Sequence, residues 1–330
     1  MYNPSWKTGG TIDTRPLPTS FYHATSLDAA IKIQQTGFRP STKGMLGAGV
    51  YITNHVRKTE KYMERNSCVH GGVVLKLEVD LGNCLRVVSA KMSHGAHAWT
   101  RTHDSVWWDR GNNKGENCVK DPKRIKIVDA YLGKAAEAQK AGYFVEAGKV
   151  VKKAPKTGWV MAGDELAPTE FYHGTSLEGA LAIQDDGFRV DLAGSNDSTM
   201  LGQGVYITTS LLKAYAYADN VHKKGKRRPH GGAVLKLKVD LGKCYRCKGG
   251  KKMKKDGKGP DDLPMRKDWM NRGYDSCWSP AGYGGVRGEH CVRDPKRIEV
   301  VDVYLMDTVK AGDAGYRVVP KDGSAWEWET

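Results

Sequence analysis

The stretch PTEFYHGTSLEGALAIQDDGFRV, Pro168–Val190, decides how this chain is read, because it has already occurred as PTSFYHATSLDAAIKIQQTGFRP, Pro18–Pro40. Each version opens with a short apolar run ending on a histidine, His23 or His173. A serine then stands where a helix N-cap is wanted, Ser26 or Ser176, with an acid in the following turn and a glycine, Gly37 or Gly187, at the exit. Strand, then capped helix, is the predicted local structure. The apolar spacing of Leu27, Ala30 and Ile31, and of Leu177, Ala180 and Leu181, supports the helices.

Working outward, every later block returns in the same order. MLGAGVYIT at Met45 recurs as MLGQGVYIT at Met200, and GGVVLKLEVDLGNC at Gly71 as GGAVLKLKVDLGKC at Gly231. ENCVKDPKRIKIVDAYL at Glu116 recurs as EHCVRDPKRIEVVDVYL at Glu289. The offset between versions grows along the chain, so the second carries insertions between the shared blocks, where loops absorb length changes. Two repeats follow, 1–155 and 160–330, joined through Lys/Ala/Gly-rich sequence. The strict alternation of VLKLEVD and VLKLKVD predicts strands with Leu75, Leu77 and Val79 on one face and Lys76, Glu78 and Asp80 on the other. RIKIVDAYL and RIEVVDVYL add strands after an Asp-Pro turn. The expected fold is α+β with mainly antiparallel sheet.

Composition sets the outer bounds. The chain has 330 residues with 39% hydrophobic content and no apolar run long enough to cross a membrane, so a soluble, intracellular protein is expected, cytoplasmic or nuclear. Seven cysteines read as reduced thiols. The formal net charge is +15, and residues 221–258 alone hold fifteen Lys and Arg against Asp240 and Asp256. Lys223, Lys224, Lys226, Arg227 and Arg228 form one basic cluster, and Lys251, Lys252, Lys254 and Lys255 lie in another. Such density favours contact with the phosphates of DNA or RNA over a plain solvated face. No metal site is expected: Cys244 and Cys247 lack a second ligand pair, and His94, His97 and His103 have no matching cluster in the second repeat.

Chemistry-bearing residues fall at matched positions. His23 and His173 end their strands; Tyr51 and Tyr206 follow a Gly-rich approach; Tyr62 and Tyr217 stand eleven residues later; Glu116 and Glu289 open short apolar strands. Two aromatic rings, a histidine and one carboxylate suit a flat cationic ring beside a ribose. Trp107, Trp108, Tyr274 and Trp278, expected in loops before the glutamates, either line an acceptor site or cover the sheet.

These pieces, YHGT, GQGVY, Tyr217 and EHCVRD with their first-repeat versions, resemble the ADP-ribosyltransferases of the poly(ADP-ribose) polymerase type and their His-Tyr-Glu triad. The arrangement is also similar to small virus-induced antiviral proteins of fish in that superfamily. The resemblance implies two tandem folds, each a split antiparallel sheet with flanking helices around an NAD-binding cleft. It implies that His173 bonds the adenosine ribose, that the Gly174 backbone grips the nicotinamide amide, and that Tyr206 and Tyr217 sandwich the ring. Glu289 would bond the 2′-hydroxyl of the nicotinamide ribose and be the catalytic carboxylate. His23, Ala24, Tyr51, Tyr62 and Glu116 take the same parts in the first repeat. Thr59 stands where the family often has a carboxamide-binding serine, and Ala214 replaces it in the second repeat. The activity expected is cleavage of NAD+ and transfer of single ADP-ribose units to an acceptor, with nucleic acid preferred over protein and the second repeat as main catalyst. An NAD+ glycohydrolase and an inactive NAD- or nucleic-acid-binding antiviral module are the alternatives.

Overall fold

In the computed structural model the described residues are 20–63, 68–87, 96–108, 115–153, 170–192, 201–219, 228, 230–246, 269–279, 288–320 and 326–329. The first helix, α1 (Leu27–Thr36), follows strand β1 (Phe21–Thr25) directly, and the Ser26 side chain accepts from Ala29 N as expected of an N-cap. Gly37 ends it at φ 78°, where a side chain would be strained. The chain continues through β2 (Val50–Ile52), a 3₁₀ turn at Val56–Thr59, a short α2 (Glu60–Met63) and β3 (Val73–Val79). Then come β4 (Cys84–Val87), β5 (Ser105–Trp108), β6 (Glu116–Val119), β7 (Ile125–Leu132), α3 (Ala135–Lys140) and the hairpin β8 (Tyr143–Glu146) and β9 (Lys149–Lys152).

The later residues repeat this order as β10 (Phe171–Ser176), α4 (Leu177–Asp186), β11 (Val205–Ile207), α5 (Leu211–Ala218) and β12 (Gly232–Val239). β13 (Cys244–Arg246), β14 (Ser276–Ser279), β15 (Glu289–Val292), β16 (Ile298–Leu305), α6 (Thr308–Asp313), β17 (Arg317–Pro320) and β18 (Trp326–Glu329) complete it. Residues 20–153 and 170–320 are called the first and second half below.

The sheets explain how a cleft arises. Strands pair in the orders β1-β3-β7 and β2-β6-β5-β4 in the first half, and β10-β12-β16 and β11-β15-β14-β13 in the second. All of these pairings are antiparallel except β4 with β5 and β13 with β14. Among the described residues the two sheets of a half are joined by one bridge, Tyr22 with Thr53 or Tyr172 with Thr208, with no ladder continuing beyond it. An antiparallel sheet split in this way leaves strand edges facing a gap. The apolar faces of β3 and β12 work as the alternation predicts, with Leu75, Leu77, Leu235 and Leu237 at most 1% exposed beneath α1 and α4.

The polar faces do not simply meet water. Lys76 Nζ lies 3.0 Å from Asp302 Oδ1, and Lys236 Nζ 3.2 Å from Asp129 Oδ1, each pair joining the two halves. The rings of Tyr131 and Tyr304 meet between them, centroids 4.3 Å apart. Lys76 and Lys236 occupy equivalent blocks, as do Asp129 and Asp302, so the contact is reciprocal under exchange of halves, as in an isologous interface. Tyr22, Val74, Tyr172, Val234, Leu212 and Tyr215 fill the apolar part.

Candidate functional site

His23 bridges the split. Its Nδ1 is 2.8 Å from the Tyr51 carbonyl, and His173 Nδ1 is 2.8 Å from that of Tyr206. A carbonyl only accepts, so Nδ1 carries the proton and Nε2 of the neutral ring is an acceptor. Burial lowers both histidine pKa values and keeps the rings neutral. Phe38 and Phe188 stand edge-on to them at 5.2 and 5.3 Å, fixing the ring planes. An acceptor held this way suits a ligand hydroxyl.

The tyrosines are tied at their hydroxyls. Tyr51 donates to Gly47 O at 2.8 Å and accepts from Leu46 N at 2.9 Å; Tyr206 repeats this with Gly202 and Leu201. The indole of Trp99 or Trp269 clamps the same loop through the carbonyl of Leu46 or Leu201. The last glycine of the Gly-rich approach has a packing task. A Cβ on Gly49 or Gly204 would stand 2.5 or 2.6 Å from the Sγ of Cys118 or Cys291 on the neighbouring strand. The glycine lets β2 and β11 lie close to β6 and β15.

The glutamates acquire partners that their sequence position did not reveal. Glu116 Oε1 is 2.8 Å from Lys58 Nζ and accepts from the Tyr62 hydroxyl at 3.2 Å. Glu289 Oε1 is 3.0 Å from Lys213 Nζ, and the residue is only 9% exposed. Lys58 and Lys213 stand seven residues after Tyr51 and Tyr206 and four before Tyr62 and Tyr217, one helical turn away and on the same face. That i,i+4 spacing was the available signal. Beside α1 and β2, a cleft of about 470 Å³ is lined by His23, Lys32, Thr36, Phe38, Arg39 and Tyr51 among others. At the matching positions the second half has Ala182 and Asp186 in place of Lys32 and Thr36, and Arg189 there is bound to Asp191 at 2.6 Å.

Several expected residues land differently. A Cβ on Gly174 would meet Ala214 O at 1.9 Å, so this glycine is required by the close passage of α5. Ala24 occurs where the facing helix is shorter, and packs against the core between the halves. The Thr59 hydroxyl donates back to Val56 O and the residue is almost wholly buried, so this bond must break before it can reach a carboxamide. Trp107 and Trp108 lie in a strand rather than a loop and are buried, covering the sheet. Trp278 also lies in a strand, stacked on His290 at 5.9 Å. Burial pushes the His290 pKa down to about 3.

Lys223, Lys224, Lys226, Arg227, Lys251, Lys252, Lys254 and Lys255 lie outside the described residues, as do His94 and Cys247. Arg228 is described and partly buried; burial lowers its pKa against the opposing pull of Glu178 and Asp219. Among the described residues no group of His, Cys, Asp and Glu is placed to hold a metal ion, and no helix is long and apolar enough to cross a membrane.

The poly(ADP-ribose) polymerase catalytic domain family model matches residues 123–272. The matched stretch contains His173, Gly174, Tyr206, Lys213 and Tyr217 and stops before Glu289. No curated protein matches the chain. Domains of this family use NAD+ as substrate, and the α+β architecture is consistent with their catalytic fold. The likeness supports an NAD+-dependent ADP-ribosyltransferase.

Proposed function

We propose that the chain is a tandem ADP-ribosyltransferase, with one NAD-binding cleft in each repeat, 1–155 and 160–330. The observation carrying this reading is the matched Lys–Glu pair, Lys58 with Glu116 and Lys213 with Glu289, in halves that each also hold a strand-end histidine bonded to the carbonyl of the first tyrosine. In NAD+ the C1′–N bond breaks and its electron pair passes to the pyridinium nitrogen, releasing neutral nicotinamide. The ribose is left with oxocarbenium character, as in glycoside hydrolysis. A carboxylate fixed beside that developing charge stabilises the transition state more than the ground state. The lysine supplies the fixing: it holds the carboxylate in one orientation before substrate arrives. The acceptor's nucleophile then bonds to C1′ and loses its proton. His23 and His173, through Nε2, accept from the adenosine ribose, and the ring faces of Tyr51 with Tyr62 and of Tyr206 with Tyr217 enclose the nicotinamide.

Transfer is of single units, the default for an enzyme this small; nucleic acid is the acceptor before protein, because the basic insertions of the second half are placed in the sequence between Tyr217 and Glu289. That placement also makes the second half the main catalyst. The Lys32 and Arg39 side chains of the first cleft favour a complementary part for it, holding the phosphates of a dinucleotide. The acceptor is tested by incubating the chain with adenylate-labelled NAD+ and RNA, DNA or cell protein, then digesting with nuclease or protease. Nuclease-sensitive label is expected. Label that only protease removes assigns a protein acceptor, and free ADP-ribose as sole product assigns a glycohydrolase.

A further inference from the structure

The helical segments that carry the active-site lysines have two working faces. On α5, Lys213 and Tyr217 are one turn apart on one face, from which Lys213 meets Glu289, whereas Leu211, Leu212, Ala214, Tyr215 and Ala218 are buried in the core between the halves. On residues 56–63 of the first half, Lys58 and Tyr62 reach Glu116 while Val56 and Met63 enter that same core. Each segment therefore rests its back on the opposite half.

Their ends are hung there too. Leu211 N donates to Gly133 O at 3.2 Å and Ala135 N to Thr209 O at 3.0 Å, so the start of α5 is tied to the corner after β7. The first-half segment begins at His55, which pairs with Asp307 at the matching corner after β16, Nδ1 to Oδ2 3.4 Å. Arg57, beside Lys58, forms an ion pair with Asp219, which caps the C-terminal end of α5 two residues after Tyr217. An acid at a helix C-terminus opposes the helix dipole, so Asp219 owes its place to a neighbouring cation rather than to the helix.

We propose that Arg57 and Asp219 are positioning residues acting across the halves. The pair holds Lys58 and Tyr62 in register against Glu116, and Tyr217 in register with the second site, so a change at Asp219 in one half is felt by the reaction in the other. The kinetic side of this rests on the transferase reading above. The structural side does not.

The test uses the full chain carrying Glu289→Gln, so that nicotinamide release reports the first half alone. Into it are placed Asp219→Asn, Asp219→Arg, and Asp219→Arg with Arg57→Asp, which restores the pair reversed. The expected result is a fall of roughly 10-fold in kcat with Asp219→Arg, because small misplacements of catalytic groups are costly, and less than about twofold change in KM for NAD+. The reversed pair should recover kcat to within about threefold. Amide hydrogen exchange over residues 56–63 should quicken with Asp219→Arg and slow again in the reversed pair. A mirror set, Arg57→Ala in a Glu116→Gln chain, reads the second site. Unchanged kcat and exchange with Asp219→Arg overturns the proposal, as does a loss that pair reversal does not repair. If the parent chains release no nicotinamide, the transferase reading fails, and hydrogen exchange alone decides the positioning role.

Discussion

At the scale of single residues, much of what resembles ligand recognition is packing that makes recognition possible. Gly174 is the clearest case. Its missing Cβ leaves room for the Ala214 carbonyl of α5, the helix that carries Lys213 and Tyr217. Gly174→Ala should therefore destabilise the protein by about 1–3 kcal/mol through overpacking, read from urea unfolding. Ala24→Gly, at the matching position, should cost no more than about 1 kcal/mol, the ordinary penalty for glycine in a strand. Equal effects at the two sites would mean that α5 yields, and that the glycine serves something else. The histidine–tyrosine–glutamate order was legible because each residue ends or begins a short element whose boundary is marked locally by a cap or a turn. Lys58 and Lys213 were not, since a lysine on a helix reads as solvated until the strand bearing the glutamate is folded beside it.

Among elements, β10 and its flank show how burial writes a pH response into the junction. Glu170, just before β10, accepts from Leu132 N of the first half at 3.2 Å and from the Tyr172 hydroxyl, with Lys236 Nζ 4.0 Å away. Burial, against the pull of Lys236, raises its pKa from 4.5 to about 7. A carboxyl with a raised folded-state pKa takes up a proton on folding. Its contribution is fully present below about pH 4.5 and is lost as pH rises through about 7, up to roughly 3 kcal/mol in all. Glu170→Gln, which stays neutral, should flatten that part of the profile, so the variant gains on wild type in denaturant midpoint between pH 5 and pH 8. Parallel profiles would place the titration elsewhere. None of this was visible in the alternating pattern of β3 and β12. Alternation tells which side chains share a face, and Lys76 and Lys236 share theirs with the opposite half rather than with water.

For the whole molecule, the consequence is that the halves are joined by ion pairs as well as apolar contact. Burial works to raise the Asp302 pKa, but Lys76, the Tyr131 hydroxyl and Lys236 together outweigh this and the carboxyl is held low. Removing one partner of such a pair leaves a buried charge, so Asp302→Ala should cost about 3–5 kcal/mol, whereas replacing both, Lys76→Met with Asp302→Leu, should cost far less. Calorimetry of the full chain distinguishes these, and a single cooperative transition is expected for wild type. Two independent transitions in wild type would mean that the junction contributes little. The repeat itself was plain in the sequence, because four blocks return in order; the face each repeat offers the other was not, because it is built from residues far apart in the chain.

The most direct measurement is nicotinamide release from NAD+ by wild type, Glu116→Gln, Glu289→Gln and the double variant, with and without added RNA or DNA. Removing a well-placed electrostatic group typically costs 10²–10³ in rate, or about 3–4 kcal/mol. The account predicts release by wild type that survives Glu116→Gln, falls by about that factor with Glu289→Gln, and falls lower still in the double variant. Release that is undiminished in the double variant, or absent from wild type under every condition, would contradict it.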